Sequence, residues 1–164
     1  MRNDYFSFEL EPRNLNLSII TAQATDYNRI LGLLQHVKLL TDDILVPGTR
    51  YWMVQTDTGG LAACAGIEFG EDAILFRSLA VYEDYRGEGL ALRLIRNALD
   101  EAKAEGKHHA YCFSMRAADY FLRIGFAEVP VSQLVNALPN VTQVVRFAKI
   151  GKLANERAFH KVLD

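Results

Sequence analysis

The sequence predicts a mixed α/β domain in which a central, mostly antiparallel sheet carries helices on both faces. Three observations lead there. Apolar runs at 51–55 and 61–69 are joined by Asp57-Thr58-Gly59-Gly60, and after Gly70-Glu71-Asp72 a third run fills 73–82. Turn residues between apolar runs in that order predict an antiparallel meander. After residues 83–88 the apolar period lengthens to that of a helix, and a further apolar run follows at 108–113. A helix crossing between two strands is long enough to make them parallel neighbours, so the sheet is mixed.

Each element has its own signal. Residues 1–14 read as a loosely held lead-in and 15–20 as a first strand. A helix begins near Thr25, taken as its N-cap, with Tyr27, Ile30, Leu31, Leu34 and Val37 at helical spacing. Residues 41–47 read as a short helical turn. Leu92, Ile95, Leu99 and Ala102 mark the crossing helix, and Gly106 is suited to end it. A short helix over 116–124 is stopped by Gly125. The tail holds a brief strand near 127–129, helical material between 131 and 150, and a last strand around 157–163. No repeat or long Pro/Gly/Ser linker interrupts the chain, so residues 1–164 read as one domain.

Composition narrows the function. Half of the 164 residues are apolar, enough for a sizeable core. A net charge of −2 and a pI near 6.1 argue against a primary nucleic-acid binder, although a local basic groove for an anionic ligand fits that total. No stretch reaches the roughly 18 apolar residues of a membrane span, and the N-terminus lacks the apolar core of a signal peptide. A cytoplasmic protein is the expectation. Cys64 and Cys112 lie in different apolar runs; a disulfide is open on paper, and two buried free thiols are the favoured reading. His36, His108, His109 and His160 show no zinc spacing, and no metal is expected.

The most informative segment runs from Leu79-Ala80-Val81 through Arg86-Gly87-Glu88-Gly89 to Leu90-Ala91. A strand ends, and a loop with two glycines feeds directly into a helix. The first N–H groups of a helix have no intrahelical partner, and the helix dipole favours an anion there. Gly87 and Gly89 let a phosphate approach the main chain, and Arg86 adds a permanent charge. No Lys-Ser/Thr pair follows, which excludes a Walker loop, and the run is not GxGxxG.

In this context the segment resembles the acyl-CoA signature of the GNAT superfamily of N-acetyltransferases, Arg/Gln-x-x-Gly-x-Gly/Ala, with Arg86, Gly89 and Ala91 at its fixed positions. Leu79-Ala80-Val81 resembles the splayed strand whose main chain holds the pantetheine arm in that family. The run from Ala117 to Gly125-Phe126 is similar to its other recurring segment, a short helix ending in Gly-Phe. The resemblance covers about two thirds of the chain. Within the superfamily, residues 75–81, residues 120–126 and Leu138-Pro139 look most like the arsenic-resistance-type acetyltransferases and the acetyltransferase domain of N-acetylglutamate synthases.

The resemblance implies acetyl-CoA as co-substrate and direct attack of a neutral amine on its thioester, the acceptor being a small amine such as an amino acid. It implies an acyl-CoA site made by Leu79, Ala80, Val81, Arg86, Gly87, Glu88, Gly89, Leu90, Ala91 and Phe121. Many relatives carry a tyrosine as acid four residues before the Gly-Phe glycine. Here that position holds Phe121, and Tyr120 is its neighbour, one helical step of about 100° away. Tyr120 is a candidate acid or a core aromatic. Glu68, near the end of its strand, is a candidate proton relay or an exposed carboxylate. Ser114 is a candidate substrate contact or a helix cap. Arg77 interrupts an apolar strand, and either binds a substrate carboxylate or pairs with Glu68 or another acid. His108 and His109 read as surface residues.

Two other functions stay open: transfer to a peptide or protein N-terminus, and a catalytically silent acyl-CoA-binding module, which the phenylalanine at 121 keeps in view. The apolar positions of 141–150 suit packing on the chain's own sheet or against a second subunit. Many relatives are dimers.

Overall fold

The computed structural model describes residues 17–164. The lead-in expected over residues 1–14, and the start of the first strand, lie outside the described residues. Among the described residues seven strands form one sheet: β1 Ser18–Thr21, β2 Thr49–Gln55, β3 Leu61–Phe69, β4 Ala73–Val81, β5 His109–Phe113, β6 Ala127–Val129 and β7 Ala158–Val162. Their order is β1-β2-β3-β4-β5-β7-β6, and only the β4–β5 pair is parallel. The helices are α1 Tyr27–His36, α2 Leu90–Ala104, α3 Ala118–Arg123, α4 Val131–Ala137 and α5 Thr142–Lys149.

Period-two alternation sorts the strand side chains onto two faces. Trp52, Val54, Ile74, Phe76 and Cys112 point to one, where Leu94, Ile95 and Ala98 of α2 and Phe121 of α3 cover them. Tyr51, Met53 and Cys64 point to the other, beneath Ile30, Leu33 and Leu34 of α1. Leu75 and Tyr111 share that second face with Leu134 of α4 and Val144 of α5. Helices therefore cover both faces, as the patterning predicts. The two buried cysteines are free and belong to opposite faces, and burial pushes the Cys64 thiol up to about 12. Among the described residues no helix is long and apolar enough to cross a membrane.

Two local expectations are corrected. Thr25 does not cap α1: residues 24–26 form a 3-10 turn, and the Gln23 N–H donates to the Asp26 carboxylate at 2.8 Å. Asp26 is the residue that precedes α1, but its carboxylate binds the Gln23 N–H and leaves the first N–H groups of α1 without a side-chain cap. Residues 41–47 are not helical, because Asp43 and Leu45 adopt φ of 58° and 56°. Tertiary bonds override the local tendency there: Arg146 of α5 donates to the Asp43 carboxylate at 2.9 Å, and Arg77 of β4 donates to the Asp42 carbonyl at 2.7 Å. In α5, Val144 and Phe147 pack inward while Val145 and the following Ile150 stay exposed.

At the β5–β7 edge the His160 ring sits 4.6 Å from Tyr111, and its Nε2 lies 2.9 Å from Nδ1 of His109. Burial, with a smaller contribution from His109, lowers the His160 pKa below its ordinary value of 6.5. The folded chain then binds fewer protons than the unfolded chain below that value. Stability contributed by neutral His160 is present above about pH 6.5 and declines as pH falls from there. Urea midpoints measured from pH 7.5 to 5 are expected to fall, and His160→Gln is expected to flatten the slope.

Candidate functional site

The site starts from an irregularity in β4. Arg77 pairs with Gly66 and Ala80 with Cys64, so Ser78 and Leu79 together oppose Ala65, which makes a bulge. Ser78 takes a φ of 61°, and its hydroxyl is held 3.0 Å from the Tyr51 hydroxyl and accepts from Nε of Arg77 at 3.3 Å. Tyr51 reaches it because Gly66 lies opposite: a Cβ there would stand 2.6 Å from the Tyr51 ring. On its other edge β4 pairs with β5 only as far as Phe76 and Cys112. Beyond that point β5 follows β7 instead, ending where the Ser114 N–H donates to the Arg157 carbonyl at 3.0 Å. The bulge thus parts two parallel strands into a wedge. The main chain of residues 77–81 on that side has no strand partner among the described residues, and its polar groups are available to an extended ligand.

Past the wedge, a 3-10 turn at Glu83–Tyr85 leads through Arg86 to Gly89, which precedes the first turn of α2. Gly87 and Gly89 have φ of 82° and 74°, and no side chain caps the helix. A Cβ on either glycine would meet nothing within 4 Å, so the space above the loop is open. Arg86 is exposed and stays over the loop, its Nε donating to the Val81 carbonyl at 3.3 Å. Leu90 is buried and anchors the helix start, while Ala91 is half-buried and Glu88 exposed. From behind, His36 at the end of α1 hydrogen-bonds Glu83 at 2.8 Å. Unpaired N–H groups, a helix dipole and an arginine converge on open space, an arrangement whose chemistry suits an anion.

A cleft of about 560 Å³ continues from the wedge. Phe76, Leu79, Cys112 and Phe121 supply its apolar floor. Phe121 is held by an aromatic cluster, with ring centroids 5.3 Å from Phe126 and 6.1 Å from Phe159. Ser114 borders the cleft, and its hydroxyl accepts from the Ala117 N–H at 3.0 Å, in the loop just before α3 rather than as that helix's cap. Lys38 and Arg116 lie on the rim, and neither is in an ion pair with another described residue.

Arg77 borders the cleft as well, yet it is 7% exposed and bound to Glu68 at 3.1 Å. Of the two readings open at that position, the ion pair is the one formed. Glu68 does not have the geometry of a proton relay. It is 3% exposed, lies outside the cleft, and accepts from Arg77, from the Thr142 N–H and hydroxyl, and from the Gln143 N–H. Its carboxylate closes β4 against the start of α5.

Tyr120 also lies outside the cleft. It turns toward the α2 side, packed against the core, and burial raises its pKa above 10.0 while Arg123 and Arg96 pull it down. One step around α3 separates it from Phe121, which faces inward. Tyr120→Phe is therefore expected to change the turnover rate less than about twofold from pH 6 to 9, measured by thiol release.

The far wall of the cleft, Gln143, Phe147, Lys152 and Glu156, comes entirely from the tail. Apart from helical periodicity in 131–150 nothing in the sequence marks this wall, because these residues meet β4 and β5 only after α4 and α5 cross the sheet.

Comparison with known proteins agrees with this geometry. A family model described as an acetyltransferase (GNAT) domain matches residues 47–128, half of the chain. N-acetylglutamate synthase from Neisseria gonorrhoeae, complexed with coenzyme A and N-acetyl-glutamate, is similar with a TM-score of 0.74 and 21% identity over 90% of this chain. The chain spans 35% of that protein's length. A GNAT-family acetyltransferase from Staphylococcus aureus aligns with a TM-score of 0.69 and 12% identity, covering 90% of this chain and 99% of that one. A Mycobacterium tuberculosis protein in complex with CoA aligns with a TM-score of 0.71 and 16% identity, covering 90% and 99%.

Proposed function

The chain belongs to the GNAT acetyltransferases, and we propose that it acetylates the primary amine of a small, carboxylate-bearing acceptor such as an amino acid. Acetyl-CoA is the co-substrate, and the residues present fit it: the open, uncapped start of α2 suits a pyrophosphate, and the unpaired edge of residues 77–81 suits an extended amide-bearing arm. When bound, it supplies a thioester that a neutral amine can attack.

The chain's own residues do the rest. Arg86 and the N–H groups following Gly87 hold the anionic end. A main-chain N–H at the parted end of β4 is placed to polarise the acyl carbonyl, and the aromatic floor under Phe121 keeps water from the reacting atoms. No tyrosine hydroxyl enters the cleft at position 121, so the departing thiolate takes its proton from the incoming amine or from water.

The observation that carries the acceptor class is the cleft itself: Lys38 and Arg116, two cations in no ion pair with another described residue, stand on its rim, and the tail closes its far side. Calorimetric titration with acetyl-CoA, with ATP and NAD as controls, tests the co-substrate. Thiol release with amino acids, polyamines and short peptides then tests the acceptor. Selective acetyl-CoA binding with turnover of amino acids supports the proposal. Turnover of peptides alone would move the acceptor to a polypeptide N-terminus. Acetyl-CoA binding with turnover of no amine would leave a silent binding module.

A further inference from the structure

The carboxylates of Glu68 and Glu156 differ in how far they are satisfied. Glu68 receives four donors. The Glu156 side chain is also buried, at 8% exposure, but its one partner among the described residues is Lys152 at 3.4 Å. Lys152 is itself 39% exposed and rests over the Phe147 ring, 4.5 Å from its centroid. A buried carboxylate has room for about four hydrogen bonds and is costly to leave short of them. Glu156 borders the cleft, so its unfilled positions have the cleft as their source of a donor.

A second orphan lies on the same wall. Oε1 of Gln143 is buried and has no donor among the described residues. Gln143 and Phe147 are one turn apart on α5, Lys152 covers Phe147, and Glu156 pairs with Lys152, so the two acceptors belong to one continuous wall. Opposite polarity stands on the rim, at Lys38 and Arg116. Glu156 also directly precedes Arg157, whose carbonyl binds the Ser114 N–H where β5 leaves β4. The carboxylate is thus anchored beside the apex of the wedge.

We propose that Glu156 receives the ammonium group of the acceptor and takes a proton from it. This rests on the reading that the acceptor enters the cleft. In the step, one N–H bond breaks and an O–H bond forms on Glu156, which leaves the nitrogen lone pair free to attack. The carboxylic acid so formed returns its proton to water at the exposed Lys152 side. The second proton lost by the nitrogen leaves with the departing thiol, so Glu156 cycles one proton per turnover.

The test uses the full chain and Glu156→Gln. Acetyl-CoA affinity is expected to stay within about twofold, because the loop before α2 is untouched. With the amine that the wild type acetylates best, kcat/KM is expected to fall about 100-fold at pH 7, within the usual range for a general base. The deficit should close to under about tenfold near pH 9.5, where solution supplies the free amine. A role confined to folding would lower the rate equally at every pH.

A second readout does not need turnover. In protein labelled at the glutamate carboxyl carbons and saturated with CoA, the signal lost in Glu156→Gln identifies the group. It is expected to shift with l-glutamate and not with glutarate, which lacks the amine. Equal response to both, or to neither, would overturn the assignment, as would wild-type kcat/KM in Glu156→Gln at pH 7. If that signal responds to l-glutamate while no amine is acetylated, the transfer reading fails and the amine site stands.

Discussion

Glu68→Ala is expected to destabilise the fold by about 3–5 kcal/mol, the cost of leaving a buried charge without its partner. Among the described residues, Arg77 would keep in the interior only the Asp42 carbonyl and the Ser78 hydroxyl as acceptors. The first N–H groups of α5 would also lose theirs, since Thr142 and Gln143 both donate to Glu68. Urea unfolding read by far-UV dichroism measures the loss, and a Tm lower by about 10 °C is the matching thermal result. Combining Glu68→Ala with Arg77→Met should recover part of it, because the stranded charge is removed as well. Arg77→Ala is expected to act in the same way, through stability. A rise confined to the acceptor KM, with stability unchanged, would instead place Arg77 on the substrate.

Gly89→Val is expected to weaken acetyl-CoA binding by about 100-fold, close to 3 kcal/mol. At a φ of 74° a β-branched residue is strained, at a cost of at least about 1–2 kcal/mol. The loop relieves that strain only by turning its N–H groups away from where they converge. The new side chain also projects into space that the ligand needs. Because a Cβ at this position would meet nothing within 4 Å, the cost to the fold should stay at a few degrees of Tm. Titration calorimetry and a melting curve on the same preparation separate the two effects.

The two variants probe parts of the molecule that differ in how they are encoded. The loop from Val81 to Leu90 was legible because all its components are adjacent in sequence: the strand end, the two glycines and the first turn of α2. Glu68 was legible only in part. That it pairs with Arg77 follows from the β3–β4 hairpin, in which Gly66 stands opposite Arg77 two residues away. That it also holds the start of α5, some 74 residues later, depends on how the tail crosses the sheet. Tyr120 and Phe121 show the same limit at closer range. A six-residue helix has too few turns to fix its own phase, and here packing against Phe76, Phe126 and Phe159 turns Phe121 inward.

The sequence by itself determined the strand meander, the crossing helix and the glycine loop before α2, since each depends on local periodicity, turn chemistry and backbone freedom. Tertiary structure alone decided which charged groups are consumed by the fold and which remain for chemistry. Glu68 and Glu156 have the same side chain, and nothing adjacent to either in the chain tells them apart. What separates them, among the described residues, is the number of donors that the fold brings to each: four for Glu68 and a single half-exposed lysine for Glu156. A carboxylate's remaining capacity is set by its three-dimensional neighbours, and that is why the proposed role of Glu156 came from the folded chain and not from the sequence.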